Sequence, residues 1–439
     1  MAAVSPLRNL RIEEYSYPLP EERIALYPLA ERDASKLLVY RNGKPEVSVF
    51  RQIGKFLPPS ALLVFNDTRV VHARLIFAKN NGSEPRAGVS KEQGARIEIF
   101  CLEPTFPAEI ATAFASAGRC RFKCLVGNNK RWKEGALQMA FPFENSSGQE
   151  EKGVLQARKT AVFDDCFEVE FSWQPEHLSF AQVLEQAGKV PLPPYIRRQA
   201  EDSDKARYQT VFARFDGSVA APTAGLHFTP RVLQELKDSG IEQDFITLHV
   251  GAGTFRPVKA EQIGGHAMHY EHILATDGLI RHLLEAVKNG KPVIPVGTTS
   301  MRSLESLYWI GLKLLKQGFP ATDSPEEPVF EVHQWEAYED WAQARKEISP
   351  EAALEAILAY MEQRKVRQIH GHTALMIAPG YEFAFCKGII TNFHQPQSTL
   401  LLLVSALIGP VWRDLYGFAL QNGFRFLSYG DSCLFLPEA

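Results

Sequence analysis

The sequence has little of what usually announces a function. Six cysteines lie scattered at positions 101, 120, 124, 166, 386 and 433, and none forms Cys-x-x-Cys. That spacing argues against a zinc ribbon or a redox pair, and the thiols read as reduced core groups. Long apolar stretches are missing too. The run from Leu400 to Ile408, broken by Ser405, is too short to span a bilayer. The N-terminus lacks the charged-then-apolar pattern of a secretion signal. Charge of one sign is not in excess: the formal net charge is -3, so a nucleic-acid partner would be held by a local patch. These absences predict a soluble, cytoplasmic protein. Its 439 residues suggest more than one core.

What is present is a series of buried-strand patterns, each ending in a polar or glycine-rich loop and followed by a helix. The most telling is residues 217–230, GSVAAPTAGLHFTP. A short apolar run gives way to small residues, including Thr223 and Gly225, and then to His227. Thr229 is a good N-cap and Pro230 suits the first helical position. Val232, Leu233 and Leu236 share a helix face, and Gly240 stops the helix. Such a loop places bare N–H groups beside a ligand-sized space. The same logic applies at four more places. Leu62–Phe65 runs into Asn66-Asp67-Thr68-Arg69. The strand holding His249 runs into Gly251 and Gly253. Pro292–Val296 leads into Gly297-Thr298-Thr299-Ser300 and a helix carrying Arg302. Gly388–Thr391 leads into Asn392, Phe393 and His394. Ala374–Tyr381 reads as a further strand running into a loop. This βα alternation predicts a parallel sheet or barrel with its loops gathered at one edge.

Other segments have a different texture. From about 76 to 172, short alternating runs separated by turn clusters predict a small antiparallel β-barrel inserted into the main α/β domain, with exposed loops at 83–94 and 144–153. The division expected is therefore 1–75 and 173–439 for the main domain, with 310–368 as an extra insert. Residues 188–198 hold three prolines, then Tyr195, Arg197 and Arg198. Arginine beside tyrosine suits a phosphate backbone with base stacking, although nearby acids also balance those charges. His266, His269 and His272 cluster around Glu271. They have neither of the orders that aim two imidazoles at one zinc from a helix, so proton transfer or hydrogen bonding is favoured over metal. The Gly297 turn lacks the Gly-Lys-Ser/Thr of a nucleotide-triphosphate loop.

Several blocks together carry a family resemblance: LPEERIALYPLAERDASK, LLVFNDTRVVHARL, YQTVFARFDGSVAAPTAGLHFT, LHVGAGTFRP and TNFHQPQSTLLLLVSA. They span nearly the whole chain, and it resembles the S-adenosylmethionine:tRNA ribosyltransferase-isomerases of the queuosine pathway. The resemblance implies an α/β barrel-like main domain with an inserted small antiparallel β-barrel. It implies S-adenosylmethionine as ribosyl donor, no metal, and a tRNA anticodon stem-loop as partner. His227, His249, His269 and Glu271 would then move protons, with Asp67 in support. Thr223, Gly225, Gly251, Gly253, Thr298, Thr299 and Arg302 would line the donor pocket, closed by Asn392 and His394. Tyr195, Arg197, Arg198 and Arg69 would meet the tRNA. Three readings compete: a paralogue acting on another RNA or nucleobase, a non-catalytic tRNA- or nucleoside-binding protein, and a metal hydrolase. A monomer is compatible with the sequence, which leaves oligomeric state open.

Overall fold

In the computed structural model, residues 6–79, 95–145, 147–163, 166–251, 260–319, 329–339 and 341–437 are described. The expected loop at 83–94, Gly253, and residues 320–328 and 340 lie outside them.

The chain opens with β1 (Lys36–Arg41) and β2 (Lys44–Val49), joined at Asn42-Gly43. Both turn residues have positive φ, 51° and 68°, which Asn and Gly adopt at least cost. Then come β3 (Leu62–Asn66), buried throughout, and the short β4 (Thr68–Val70).

The next six strands are β5 (Arg74–Lys79), β6 (Ala95–Phe106), β7 (Arg119–Gly127), β8 (Leu137–Glu144), β9 (Glu150–Val162) and β10 (Phe167–Gln174). They form one antiparallel sheet in the order β5-β6-β7-β10-β9-β8. Its outer strands approach each other, so the sheet curls nearly into a barrel. Alternation drives the curl. In β7, Cys120, Phe122 and Cys124 turn inward, and they share a core with Phe180, Val183 and Leu184 of helix α2 (Phe180–Ala187). The preceding helix, α1 (Ile110–Ala115), packs on the same unit. All six cysteines are buried, and none is in a disulfide.

After α3 (Asp202–Arg207), β11 (Phe215–Ser218) pairs in parallel with β4. Helix α4 (Pro230–Asp238) begins as its sequence requires, with the Thr229 hydroxyl accepting from the Val232 N–H at 3.3 Å. There follow β12 (Glu242–His249), β13 (Glu271–Thr276), α5 (Asp277–Lys288), β14 (Val293–Pro295), α6 (Thr298–Gln317), β15 (Val329–Val332), α7 (Pro350–Arg364) and β16 (Gln368–Thr373). The chain ends with β17 (Ile389–Asn392), α8 (Thr399–Ile408), α9 (Trp412–Gln421) and β18 (Ser432–Leu436).

Two further sheets complete the framework. One has the order β14-β3-β12-β13-β16-β15, the other β17-β18-β1-β2. Strands β14, β3 and β12 are parallel, whereas β13 is antiparallel to both neighbours, so the sheet is mixed. A parallel bridge from Val296 to Ile390 carries the same direction on to β17. The C-terminal ends of β17, β14, β3 and β12 therefore share one edge.

Two expectations change here. Ala374–Tyr381 is not a strand. It is a buried irregular segment whose backbone is satisfied from elsewhere, by Val332 and Gln334 carbonyls and the Tyr338 hydroxyl. The boundary expected at 310 falls inside α6, and Leu312, Val332, Leu354 and Ile357 belong to the main core. The stretch Thr399–Gln421 has the length and hydropathy (1.3) to cross a membrane, yet half of its apolar window is buried here and Gly409–Val411 divides it into α8 and α9.

Helices α6 and α7 cross at Gly311. A Cβ there would sit 2.1 Å from the Ala353 carbonyl oxygen, with backbone that has no room to yield. Gly311→Ala is expected to destabilise the fold by about 1–3 kcal/mol. Gly417→Ala, in α9 with nothing within 4 Å of the new carbon, is expected to be neutral or stabilising by up to about 1 kcal/mol. Denaturant midpoints of the two variants check the contrast.

Candidate active site

The shared strand edge holds a cavity of about 110 Å³. Gly297, Thr298 and Thr299 border it from the start of α6, Thr223 from the small-residue loop, and Asn392 and His394 from the end of β17. Tyr195 closes one side, its hydroxyl 2.5 Å from Ser428 Oγ. No side chain caps α6, and Gly297 has φ 94°, so the helix start is left to backbone N–H groups. Gly225 does not line this cavity. A Cβ on it would meet Phe212 at 2.8 Å and Thr210 at 2.9 Å, so it is glycine for packing beneath the loop.

His227 lies behind the cavity wall. It is buried, with Nδ1 2.8 Å from Ser35 Oγ and Nε2 3.1 Å from Asn392 Nδ2. Burial, helped by Arg425, pushes its pKa down from 6.5 to about 3, so the ring is neutral. His394 is also held neutral by burial, at about 3, with Nε2 2.9 Å from Thr391 Oγ1.

A second cavity, about 520 Å³, lies across β12. Val250 borders the first cavity and His249 the second, as alternation along an extended segment requires. Asp67, Arg214, Asp216 and Asp244 line it from the mixed-sheet side and Glu109 from the near-barrel side. His249 Nδ1 is 3.1 Å from Thr68 Oγ1, and burial lowers its pKa to about 4. Asp67 is buried and accepts the Thr247 hydroxyl at 2.7 Å; burial raises its pKa, opposed by that hydrogen bond and by Arg214.

A third group borders neither cavity. Glu271 is fully buried and ion-paired with buried Arg302, and His269 Nε2 lies 3.5 Å from its other oxygen. Burial alone would raise the Glu271 pKa, but Arg302 and His269 outweigh it and bring it from 4.5 to about 2. Gly251 adjoins this group: a Cβ on it would be 3.7 Å from His269 Cδ2.

The candidate RNA contacts divide. Arg197 and Arg69 are exposed, the first paired with Glu21 at 2.8 Å and the second near Glu185 and Asp216. Arg198 is turned inward. It forms two hydrogen bonds to buried Asp204 at 2.7 and 2.8 Å, and stacks over Tyr27. Among the described residues no group of three or more His, Cys, Asp or Glu is placed to hold a metal ion.

Several lining residues escaped the sequence reading. Arg214 and Asp216 sit inside a quoted block, and their spacing of two in an extended run was an available signal. Glu109 and Asp244 carried none, because they meet only where the near-barrel packs on the mixed sheet. Four histidines, at 249, 272, 370 and 372, also share one face of β12-β13-β16, a row visible only once the register is known.

Buried acids and neutral imidazoles around two cavities, one of them at a shared strand edge, mark the chain as an α/β enzyme. Sequence comparison says of which kind: the chain belongs to the queuosine biosynthesis protein family, whose profile matches residues 12–337 and 348–435. It is 36% identical over 431 residues to the S-adenosylmethionine:tRNA ribosyltransferase-isomerase of Halothermothrix orenii, covering 97% of this chain and all of that one. It is 35% identical to the protein of the same name in Syntrophotalea carbinolica, with 97% and 100% covered. The crystal structure of S-adenosylmethionine tRNA ribosyltransferase from Thermotoga maritima is similar at 25% identity, over 96% of this chain and 100% of that one, with a TM-score of 0.43.

Proposed function

We propose that this protein transfers and isomerises the ribosyl part of S-adenosylmethionine onto the 7-aminomethyl-7-deazaguanine wobble base of tRNA. The product is epoxyqueuosine-tRNA, and adenine and methionine leave. The observation that carries the reading is the end-to-end match to relatives of that name. The two cavities agree with it, since the reaction brings together a nucleoside donor and a nucleobase acceptor.

The chemistry makes three demands. A base must take the proton beside the sulfonium, departing adenine must gain one, and the attacking amine must be uncharged. In this reading S-adenosylmethionine occupies the first cavity, between Thr223, Thr298, Thr299, Asn392 and His394. His269 is the base, oriented by Glu271, which Arg302 keeps ionised. The acceptor base enters the second cavity, where Asp67 takes the amine's proton and neutral His249 offers a hydrogen-bond partner. The near-barrel of β5–β10 acts as an inserted domain that supplies the far wall through Glu109. Arg69 and Arg197 meet the anticodon stem-loop, with Tyr195 at the cleft; Arg198 serves from inside by holding Asp204.

The test is incubation with S-adenosylmethionine and an anticodon stem-loop carrying the aminomethyl-deazaguanine base. Adenine release together with an RNA mass gain matching epoxyqueuosine is the expected result. Donor binding without either product would sink the reading.

A further inference from the structure

Asn392 ends β17, borders the first cavity and is buried. Its Nδ2 donates to the Leu427 carbonyl at 3.2 Å and the Asp431 carbonyl at 3.4 Å, and lies 3.1 Å from His227 Nε2. Two of these partners are carbonyl oxygens, which accept only, so the amide nitrogen must face them. That leaves Oδ1 on the other side, buried and without a hydrogen-bond partner. The small hollow beside His227 is not bordered by Asn392, whereas the first cavity is. A buried acceptor left unpaired is unfavourable, and a ligand that brings an N–H removes the penalty.

The support behind Asn392 is equally definite. An Nε2–H would face the Nδ2 amide hydrogens with no acceptor there, so neutral His227 carries its proton on Nδ1 and donates it to Ser35 Oγ, 2.8 Å away. Its ring packs against Phe50 with centroids 5.1 Å apart. With both nitrogens engaged, His227 has no free position for a substrate proton.

We infer that the chain Ser35–His227–Asn392 presents Asn392 Oδ1 as a single acceptor for the exocyclic amine of a purine nucleoside bound in the first cavity. His227 is thereby a positioning residue. The usual two-bond pairing of an asparagine with adenine is closed here, because Nδ2 is committed to the protein. One acceptor still separates an amine from a keto group at the same ring position, since two acceptors would face each other. Tyr195, Val250, Phe393 and Leu400 supply aromatic and apolar walls suited to a flat base. The inference rests on the proposed occupancy of this cavity by the nucleoside part of the donor.

The experiment is calorimetric binding of adenosine, inosine and purine riboside to the full-length protein, alongside the adenine-release assay. Wild type is expected to prefer adenosine to the other two by roughly tenfold or more. Asn392→Ala, with folding checked by its melting curve, is expected to bring the three within about twofold. His227→Ala should erode the preference and His227→Gln restore part of it, because glutamine can still accept from Nδ2. The inference fails if wild type shows no preference, if none of the nucleosides binds, or if the preference survives in Asn392→Ala. The wild-type comparison needs no variant to fold. Turnover of donor and RNA without nucleoside discrimination would overturn this inference and leave the proposed function standing. Discrimination that depends on Asn392 without turnover would do the reverse.

Discussion

Replacing Glu271 with alanine is expected to remove about 3–5 kcal/mol of stability and to slow turnover by at least ~100-fold. The stability loss follows from burial. Arg302, with 5% of its side chain exposed, would keep its charge and lose its partner. The activity loss follows from His269, whose Nε2 has Glu271 as its carboxylate neighbour at 3.5 Å. Melting curves and single-turnover adenine release measure the two effects separately. A double variant, Glu271→Leu with Arg302→Met, replaces the pair by apolar groups of similar size. It is expected to recover much of the stability while remaining inactive, which separates holding the fold from orienting the base. Recovery of activity in the double variant would remove Glu271 from the proposed site.

The same pair sets a pH dependence. The Glu271 carboxyl titrates near 2 in the folded protein against 4.5 ordinarily. A lowered folded value means that the unfolded chain binds the proton first as the solution is acidified. The contribution is fully present above pH 4.5 and is lost as pH falls towards 2. The size of the shift corresponds to ~3 kcal/mol. Glu271→Gln should flatten the stability profile in that window. An unchanged profile would show that the carboxylate is not held by Arg302.

How much of this was legible in the sequence depends on how local each cause is. The Thr229 cap and the stop at Gly240 depend on neighbours within a few positions, and they stand as read. The parallel edge was legible because each strand announced its own end. Roles decided by a distant partner were not. Gly225 is small because of Phe212 and Thr210. His227 is occupied by Ser35 and Asn392, which are 192 and 165 positions away. Arg198 looked like an RNA contact because the Asp204 six residues on could equally have been a solvent-facing acid. The strand expected at Ala374–Tyr381 failed because its apolar residues fill the core from an irregular backbone whose N–H groups are met by the distant Val332, Gln334 and Tyr338.

Just beyond that segment the backbone of 384–386 rests on Glu305 of α6, whose replacement by alanine is expected to cost ~3–5 kcal/mol, with most of the damage at the strand edge. The carboxylate is completely buried. Its Oε1 accepts from the Phe385 and Cys386 N–H groups, both at 3.0 Å, and its Oε2 from the Ala384 N–H at 2.7 Å and the Tyr381 hydroxyl at 3.2 Å. Three successive backbone donors therefore depend on one acid. Removing it strands all three where no water reaches, and each such group costs about 1–3 kcal/mol less whatever relaxation recovers. Glu305→Gln is the sharper probe. It keeps the volume and one acceptor but sets an NH2 group against backbone donors, so it should still destabilise clearly. Cys386 bridges to Val293 of β14, and three residues on begins β17, which carries Asn392 to the first cavity. Amide exchange should therefore quicken first at 384–386, and nucleoside affinity should fall before the denaturation midpoint of the near-barrel moves. If exchange at those three amides is unchanged in Glu305→Gln, residues 384–386 are held by their apolar packing alone, and the buried acid is not what fixes the backbone leading into β17.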